Sequence, residues 1–171
     1  MKGLKVGAVK ARFEQIELDF GLVVESFEVS GQEADCSADP FHIRLSQPGK
    51  ARAVVTEGAV AQLLAAKAPN SIKDFQVQIS DGLIYVEAKA QIVVTIPVKA
   101  ACSLEIQEGK RLIVRIESVD VMGGAAKNLV ESQIAKINPI FDASDLPIDI
   151  RLDTVDADAG KIVVDGTVLA I

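Results

Sequence analysis

Residues 83–107 read LIYVEAKAQIVVTIPVKAACSLEIQ, and every second side chain from Ile84 to Ile106 is apolar. Most of the side chains between them are Glu, Lys, Gln, Thr or Ser. This alternation is typical of a β-strand with one face in the core and one in water. As one straight strand, the 23 residues from Ile84 to Ile106 would span roughly 75 Å at about 3.3 Å per residue. A compact chain of this length has a radius of gyration of only about 15 Å.

Two arrangements reconcile the segment with a folded domain. It may form two strands joined by a tight connection near Val94–Val98, or one long strand that bends and twists along an elongated sheet. Pro97 falls on the outward face, where a sheet edge or a bend tolerates it. Because no Gly, Asn or Asp between Leu83 and Ile106 marks a turn, we favour the single bent strand.

The same period of two runs through most of the chain. Alternating segments flank three turn sequences, Ser80-Asp81-Gly82, Glu108-Gly109-Lys110 and Ala159-Gly160-Lys161, which favours antiparallel hairpins. Two segments have a helical pattern instead. Residues 56–69 offer Thr56 as an N-cap and Pro69 as a stop, and residues 123–141 place apolar side chains on one helical face before Pro139.

These patterns predict an α+β fold in which a long, strongly twisted antiparallel sheet wraps around two amphipathic helices. We expect one elongated domain over residues 1–171. Helices of about 12 and 16 residues are only about 18 and 24 Å long, so they cannot cover all of the apolar strand surface. Uncovered apolar surface marks an interface or a binding groove, unless the sheet curls around its own core.

Composition excludes several classes of protein. The net charge is −6, aromatic residues make up 4% and Trp is absent, which argues against a nucleic-acid-binding protein. No apolar run is long enough for a spanning helix. The opening MKGLKVGAVKARFEQ lacks the apolar region of a signal peptide. The localisation stays open: the cytoplasm or the membrane periphery, or the cell envelope if an export segment has been removed.

Residues that carry chemistry are scarce. The single histidine, His42, has no Cys, Asp or Glu beside it at metal-ligand spacing. The aspartates between Asp142 and Asp158 do not follow a calcium-loop spacing, and no nucleophile or phosphate-loop motif occurs. Cys36 and Cys102 lie among alternating apolar residues and read as small buried hydrophobes. We therefore predict no catalytic residue, no metal, no cofactor and no enzymatic activity.

The chain resembles the LmeA-like phospholipid-binding family of bacterial domains. The residues that carry the resemblance are the long segment from Asn70 to Gly123 and the ending INPIFD...LPIDIRLDTV...GKIVVDG. The opening VKARFEQIELDFGLVVESFEVSG also fits this family. The resemblance implies a long antiparallel sheet that wraps around helices and holds lipid tails, as in the tubular lipid-binding proteins. It implies binding of a phospholipid or another acyl-chain lipid, possibly with transfer, and contact with a membrane surface.

Our first hypothesis is therefore a non-enzymatic lipid-binding module with an apolar groove between sheet and helices. The side chains expected to line it are Val60, Leu63, Leu64, Ile92, Val94, Ile96, Val98, Leu129, Val130, Ile134 and Ile137. The basic residues near the start that could contact an anionic headgroup are Lys2, Lys5, Lys10 and Arg12; they could equally be ordinary edge-strand charges. The second hypothesis is a structural or interaction module whose apolar sheet face forms a homodimer or a partner contact. A monomer is compatible with the first.

Overall fold

The structure is a computed structural model, and it describes residues 4–19, 21–38, 41–91, 93–121, 124–146 and 148–170. The two helices are α1 (Glu57–Lys67) and α2 (Gly124–Ile137). The strands of the first half are β1 Leu4–Glu17, β2 Val23–Ala38, β3 Phe41–Leu45, β4 Gly49–Thr56, β5 Ile72–Ser80 and β6 Leu83–Gln91. Those of the second half are β7 Thr95–Gln107, β8 Arg111–Val121, β9 Phe141–Asp142, β10 Ile150–Asp158 and β11 Lys161–Val168. A short 3₁₀ turn, Ala143–Asp145, follows β9.

The described strands form two antiparallel sheets, so the prediction of one long sheet is wrong. The six-stranded sheet has the order β1-β2-β4-β11-β10, with β3 on β2, and the five-stranded sheet has the order β5-β6-β7-β8-β9. The pairing of β4 with β11 joins residues from opposite halves of the chain. Such a pairing leaves no trace in local alternation, because each strand shows only its own inner and outer face. The α+β class and the antiparallel pairing are confirmed.

Residues 83–107 form a hairpin, so the favoured single bent strand is also wrong. The alternative of two strands is correct, but their connection lies between Gln91 and Thr95 and not near Val94–Val98. β6 and β7 pair from Ile84 opposite Cys102 to Gln91 opposite Thr95. The chain therefore reverses between Gln91 and Thr95. Val93 and Val94 are 96% and 65% exposed, while Ile92 lies outside the described residues. An apolar turn without Gly, Asn or Asp hides this reversal from sequence analysis.

The three turns predicted from Gly-containing sequences are present between β5 and β6, β7 and β8, and β10 and β11. In each of them two consecutive residues have positive φ, for example Asp81 at 54° and Gly82 at 78°. This is the backbone geometry that suits tight two-residue hairpins.

Both helices end where the sequence indicates. Thr56 Oγ1 accepts a hydrogen bond from the Ala59 amide (3.3 Å) at the start of α1, and α1 ends two residues before Pro69. α2 ends two residues before Pro139. α1 differs from the prediction in one respect, since it is not amphipathic. Its alanines and leucines lie on all sides of the helix, and Leu63 is its one buried side chain.

The two sheets meet where β10 passes the hairpin ends of the five-stranded sheet. The Leu152 amide donates to Gly109 O (2.7 Å), and the Gly82 amide donates to Ala157 O (2.9 Å). The turn of the last hairpin adds a bond from the Gly160 amide to Ile79 O (3.0 Å). α1 packs beside β5 and α2 beside β8. One large apolar cluster therefore draws side chains from both sheets and from α1.

Candidate functional site

A first apolar groove lies between the two helices and the five-stranded sheet; we call it the helix groove. It contains about 630 Å³ of empty space, part of which is open solvent. The helices contribute Leu64, Lys67, Ala68, Val130, Gln133, Ile134 and Ile137, and the sheet contributes Ile72, Phe75, Val86, Ala88, Val98, Ala100 and Cys102. Ala88 and Ala100 leave room for the groove because a larger side chain at either position would fill it.

The helix groove has a direction. α1 ends at Lys67, close to Ile72, and Ile72 pairs with Ala90, near the β6–β7 turn. α2 ends at the opposite end of the sheet, where the Asn138 side chain bonds to Val114. The groove therefore runs from the β6–β7 turn and the end of α1 towards the end of α2.

The structure brings five of the eleven residues that we expected at a groove into this one: Leu64, Val98, Val130, Ile134 and Ile137. Of the other six, the four whose side chains the structure describes lie elsewhere. Leu63 is buried in the large apolar cluster and Val60 packs against it, while Ile96 is half-buried and Val94 is exposed at the turn. Ile92 and the side chain of Leu129 lie outside the described residues.

Two polar side chains line the helix groove. Lys67 is exposed and forms no ion pair with any residue in the described part of the chain. Gln133 is half-buried on α2. Sequence analysis missed both, although the basic residue in the last turn of α1 was visible in the sequence. The rest of the lining is apolar, so the groove fits an apolar ligand with one polar end.

Cys102 is buried at the floor of the helix groove. Burial, and then the negative charge of Glu117, raises the pKa of its thiol to about 11. The thiol therefore stays protonated at neutral pH and behaves as a small apolar side chain. Cys102 and the half-buried Cys36 are both free, in keeping with the prediction that neither forms a bridge.

A second apolar groove, which sequence analysis missed, lies on the concave inner face of the six-stranded sheet; we call it the sheet groove. It contains about 750 Å³ of empty space, part of which is open solvent, and touches β1, β2, β4, β10 and β11. Leu112, Ile140, Phe141 and Leu146 close its other side. Residues 140–146 read as a loop after a helix, so nothing in their pattern shows that they would cover a sheet.

The headgroup candidates lie elsewhere. Lys10 lines a polar cleft on the six-stranded sheet together with Lys50. Arg12 is paired with Glu28 (2.7 Å) and Glu14 (2.9 Å). Lys2 and the side chain of Lys5 are outside the described residues. The structure therefore does not bring Lys10 or Arg12 to the helix groove, and their role in headgroup binding stays a prediction.

The described residues also bear on two further features, a metal site and a membrane-spanning helix. Within the described ranges, no three His, Cys, Asp or Glu residues come close enough to hold a metal ion. The side chain of His42 is among those not described. In the same part of the chain, neither helix has the length and apolarity needed to cross a membrane.

Comparison with known proteins assigns the chain to a family. The family model described as LmeA-like phospholipid-binding matches residues 2–167. The chain therefore belongs to the LmeA-like phospholipid-binding family, as the resemblance indicated. No curated protein and no solved structure matches the chain.

Proposed function

We propose that the protein binds a phospholipid or another acyl-chain lipid without catalysing a reaction, and that an acyl chain occupies the helix groove. The observation that carries this proposal is the lining itself: an open channel between α1, α2 and the five-stranded sheet whose side chains are apolar except for Lys67 and Gln133. Membership of a phospholipid-binding family supports the same ligand class.

The energetics of such a site rest on the acyl chain. Each methylene transferred from water contributes about 0.8 kcal/mol. About ten buried methylenes would contribute about 8 kcal/mol, which corresponds to a micromolar Kd before the entropic cost of binding. No strong polar anchor is needed, which agrees with an almost wholly apolar lining.

Lys67 supports an orientation for the lipid. It ends α1 at the same end of the groove as the β6–β7 turn, and it forms no ion pair with a described residue. An ammonium group at the mouth of an apolar groove favours a phosphate or carboxylate there. The headgroup then lies beside Lys67, and the acyl chain extends along Ile134 towards Ile137.

The sheet groove is a second place for an acyl chain. Its inner surface is apolar and its volume is similar to that of the helix groove. Leu22, Val24 and Val55 line the sheet groove and belong to the apolar cluster that also contains Ala100 and Cys102 of the helix groove. The two grooves thus lie on either side of one cluster, an arrangement that suits the two chains of a diacyl lipid.

Native mass spectrometry tests the proposal. The purified protein is measured as isolated and again after incubation with phosphatidylcholine vesicles, and we expect a stoichiometric lipid adduct in at least one state. Organic extraction then identifies the lipid. A clean apo mass in both states would overturn the proposal.

The homodimer hypothesis receives less support. The inner faces of the two sheets bury side chains such as Ile79, Ile84 and Ile150 within a single chain, so little apolar sheet surface remains for a partner. Light scattering over a range of concentrations tests it, and a constant monomer mass would remove it.

A further inference from the structure

The turn between β6 and β7 exposes two adjacent apolar side chains at the end of the five-stranded sheet. Val93 is 96% exposed and Val94 is 65% exposed, compared with 49% for Phe13 and 37% for Tyr85, the other large apolar residues exposed in the described part of the chain. We call Val93 and Val94 the valine tip. Single exposed apolar residues are common on protein surfaces. Two adjacent valines at a projecting turn expose apolar surface to water at a position where polar turn residues could stand without loss of stability.

The valine tip lies near the end of the helix groove that Lys67 lines, which we call its mouth. Gln91 pairs with Thr95, and the next pairs along the hairpin are Ala90 with Ile96 and Ala88 with Val98. Ala88 and Val98 line the groove. At about 3.3 Å per residue, Val94 projects roughly 13 Å beyond Val98. A surface that contacts the tip therefore also faces the groove opening.

Charge is arranged around the tip in a pattern that suits a bilayer. No charged residue occurs between Lys89 and Lys99. Immediately behind this uncharged stretch stand Lys89, paired with Asp74 (2.9 Å), and Lys99, paired with Glu87 (2.7 Å). Lys73 lies across from Lys89 on β5, and Lys67 lies at the groove mouth. Lys67 and Lys73, which form no ion pair within the described part of the chain, place free ammonium groups at headgroup depth when the valines lie at acyl-chain depth.

We propose that the valine tip inserts into the surface layer of a lipid bilayer and docks the protein with the mouth of the helix groove facing the membrane. A protein partner fits this feature poorly, because two valine side chains fall far short of the roughly 1,200–2,000 Å² that a stable protein interface buries. A bilayer can surround a projecting turn on all sides. The reason for the groove to face the membrane rests on the proposed lipid-binding function. The inference that the turn inserts rests only on the exposed valines of the tip.

The first experiment is co-sedimentation with phosphatidylcholine vesicles that contain a minority of phosphatidylglycerol. Val93→Asp places a carboxylate at the tip, and Tyr85→Asp is its matched control, since it removes an exposed ring from β6, the strand that leads to the tip. We expect Val93→Asp to lower the partition coefficient at least about tenfold, or about 1.4 kcal/mol, and Tyr85→Asp to change it less than about twofold. Equal partition of Val93→Asp and wild type would overturn the proposal, as would a wild type that does not bind vesicles.

A second experiment reports on depth directly. The chain contains no Trp, so Val93→Trp introduces a single fluorophore at the tip. On addition of the same vesicles we expect a blue shift of its emission and quenching by lipids brominated on the acyl chains. Thr154→Trp, at an exposed position on β10, should show neither. An unchanged emission from Val93→Trp would overturn the insertion.

The lipid adduct separates this inference from the proposed function. Val93→Asp should retain the lipid seen by native mass spectrometry, because its side chain lies outside the groove lining. Normal vesicle binding of a protein that never carries lipid would refute only the proposed function. A different outcome is a wild-type dimer that Val93→Asp dissociates, together with no vesicle binding by the wild type. That result would assign the tip to a contact between copies of this chain and would overturn the inference.

Discussion

The side chain of Asn138 forms two hydrogen bonds with the backbone of Val114, in place of the bonds that a neighbouring strand would form. Its side-chain Nδ2 donates to Val114 O and its Oδ1 accepts from the Val114 amide, both at 2.9 Å. Asn138 immediately follows α2, so this amide fixes the end of the helix against β8 and with it one wall of the helix groove. A backbone amide and carbonyl of β8 would otherwise be left without these partners in a half-buried position.

We expect Asn138→Ala to lower the free energy of unfolding by about 1–3 kcal/mol, because it removes both bonds and leaves two half-buried polar groups unsatisfied. Urea denaturation measures the change. Asn128→Ala is the matched control, since Asn128 is exposed on the same helix and its replacement should cost nothing. Equal effects of the two substitutions would contradict the structural role of Asn138.

Gly166 on β11 lies close to the backbone of the neighbouring strand β10. A Cβ at this position would lie 2.7 Å from Arg151 O and 2.9 Å from Ile150 Cγ2, both part of the neighbouring strand. We expect Gly166→Ala to destabilise the protein by about 1–3 kcal/mol, because the strand must shift to relieve the overlap. Thermal unfolding followed by circular dichroism measures this.

Gly7 provides the contrast for Gly166. A Cβ at Gly7 would meet no atom within 4 Å, so Gly7→Ala should be neutral or stabilise by up to about 1 kcal/mol through the lower entropy of the unfolded chain. A loss of stability in Gly7→Ala as large as in Gly166→Ala would show that steric contact at Gly166 is not the cause.

The local signals in the sequence predicted local structure well. Thr56, Pro69 and Pro139 located both helices, and the Gly-containing sequences located three hairpin turns. Each of these signals acts within a few residues, through a capping hydrogen bond, a missing amide or a positive φ. The connection between Gln91 and Thr95 has none of these signals, and Ile92 and Val94 continue the apolar alternation of the sequence, so the pattern favoured one strand.

The candidate site could be predicted only in part, for a different reason. Alternation tells which side of a strand is apolar but not what lies opposite. Leu63 and Leu64 are neighbours in α1, yet Leu63 belongs to the closed core and Leu64 to an open groove. That distinction depends on how the two sheets and the helices pack, as does the closure of the sheet groove by Phe141 and Leu146.

A bulky side chain in the helix groove should displace the lipid. Gln133 is half-buried and lines the groove, so Gln133→Phe fills space that the acyl chain would occupy while adding no charge. We expect the lipid adduct in native mass spectrometry to fall at least about tenfold, since losing the burial of two or three methylenes costs about 2 kcal/mol.

Ser132→Phe is the matched control for that substitution. Ser132 neighbours Gln133 on α2 but is exposed, so the same ring placed there should leave lipid occupancy unchanged. If both variants keep their lipid while a bulky substitution at Ala53 in the sheet groove removes it, the acyl chain lies in the sheet groove and the assignment to the helix groove is wrong.

Cys102 gives a chemical probe of the same groove. Because burial raises its pKa to about 11, only about one thiol in a thousand is ionised at pH 8. In a Cys36→Ser variant we expect a disulfide reagent to modify Cys102 at pH 8 much more slowly in the folded protein than in urea. Bound lipid should slow it further, since Cys102 lies on the groove floor. Equal rates for lipid-loaded and extracted protein would contradict an acyl chain in the helix groove.

The raised pKa of Cys102 also makes stability depend on pH. In the unfolded chain the thiol ionises near its ordinary value of 9.0, whereas in the folded protein it holds its proton until about 11. Ionisation above pH 9 therefore favours the unfolded state, and this loss continues until the folded thiol ionises as well. We expect wild type to lose up to about 2–3 kcal/mol relative to Cys102→Ala between pH 9 and pH 11. Urea denaturation of both proteins across this pH range measures the difference between their free energies of unfolding. The effects of lysine and tyrosine ionisation are the same in both proteins and cancel in this difference. A difference that stays constant from pH 9 to pH 11 would refute the buried thiol.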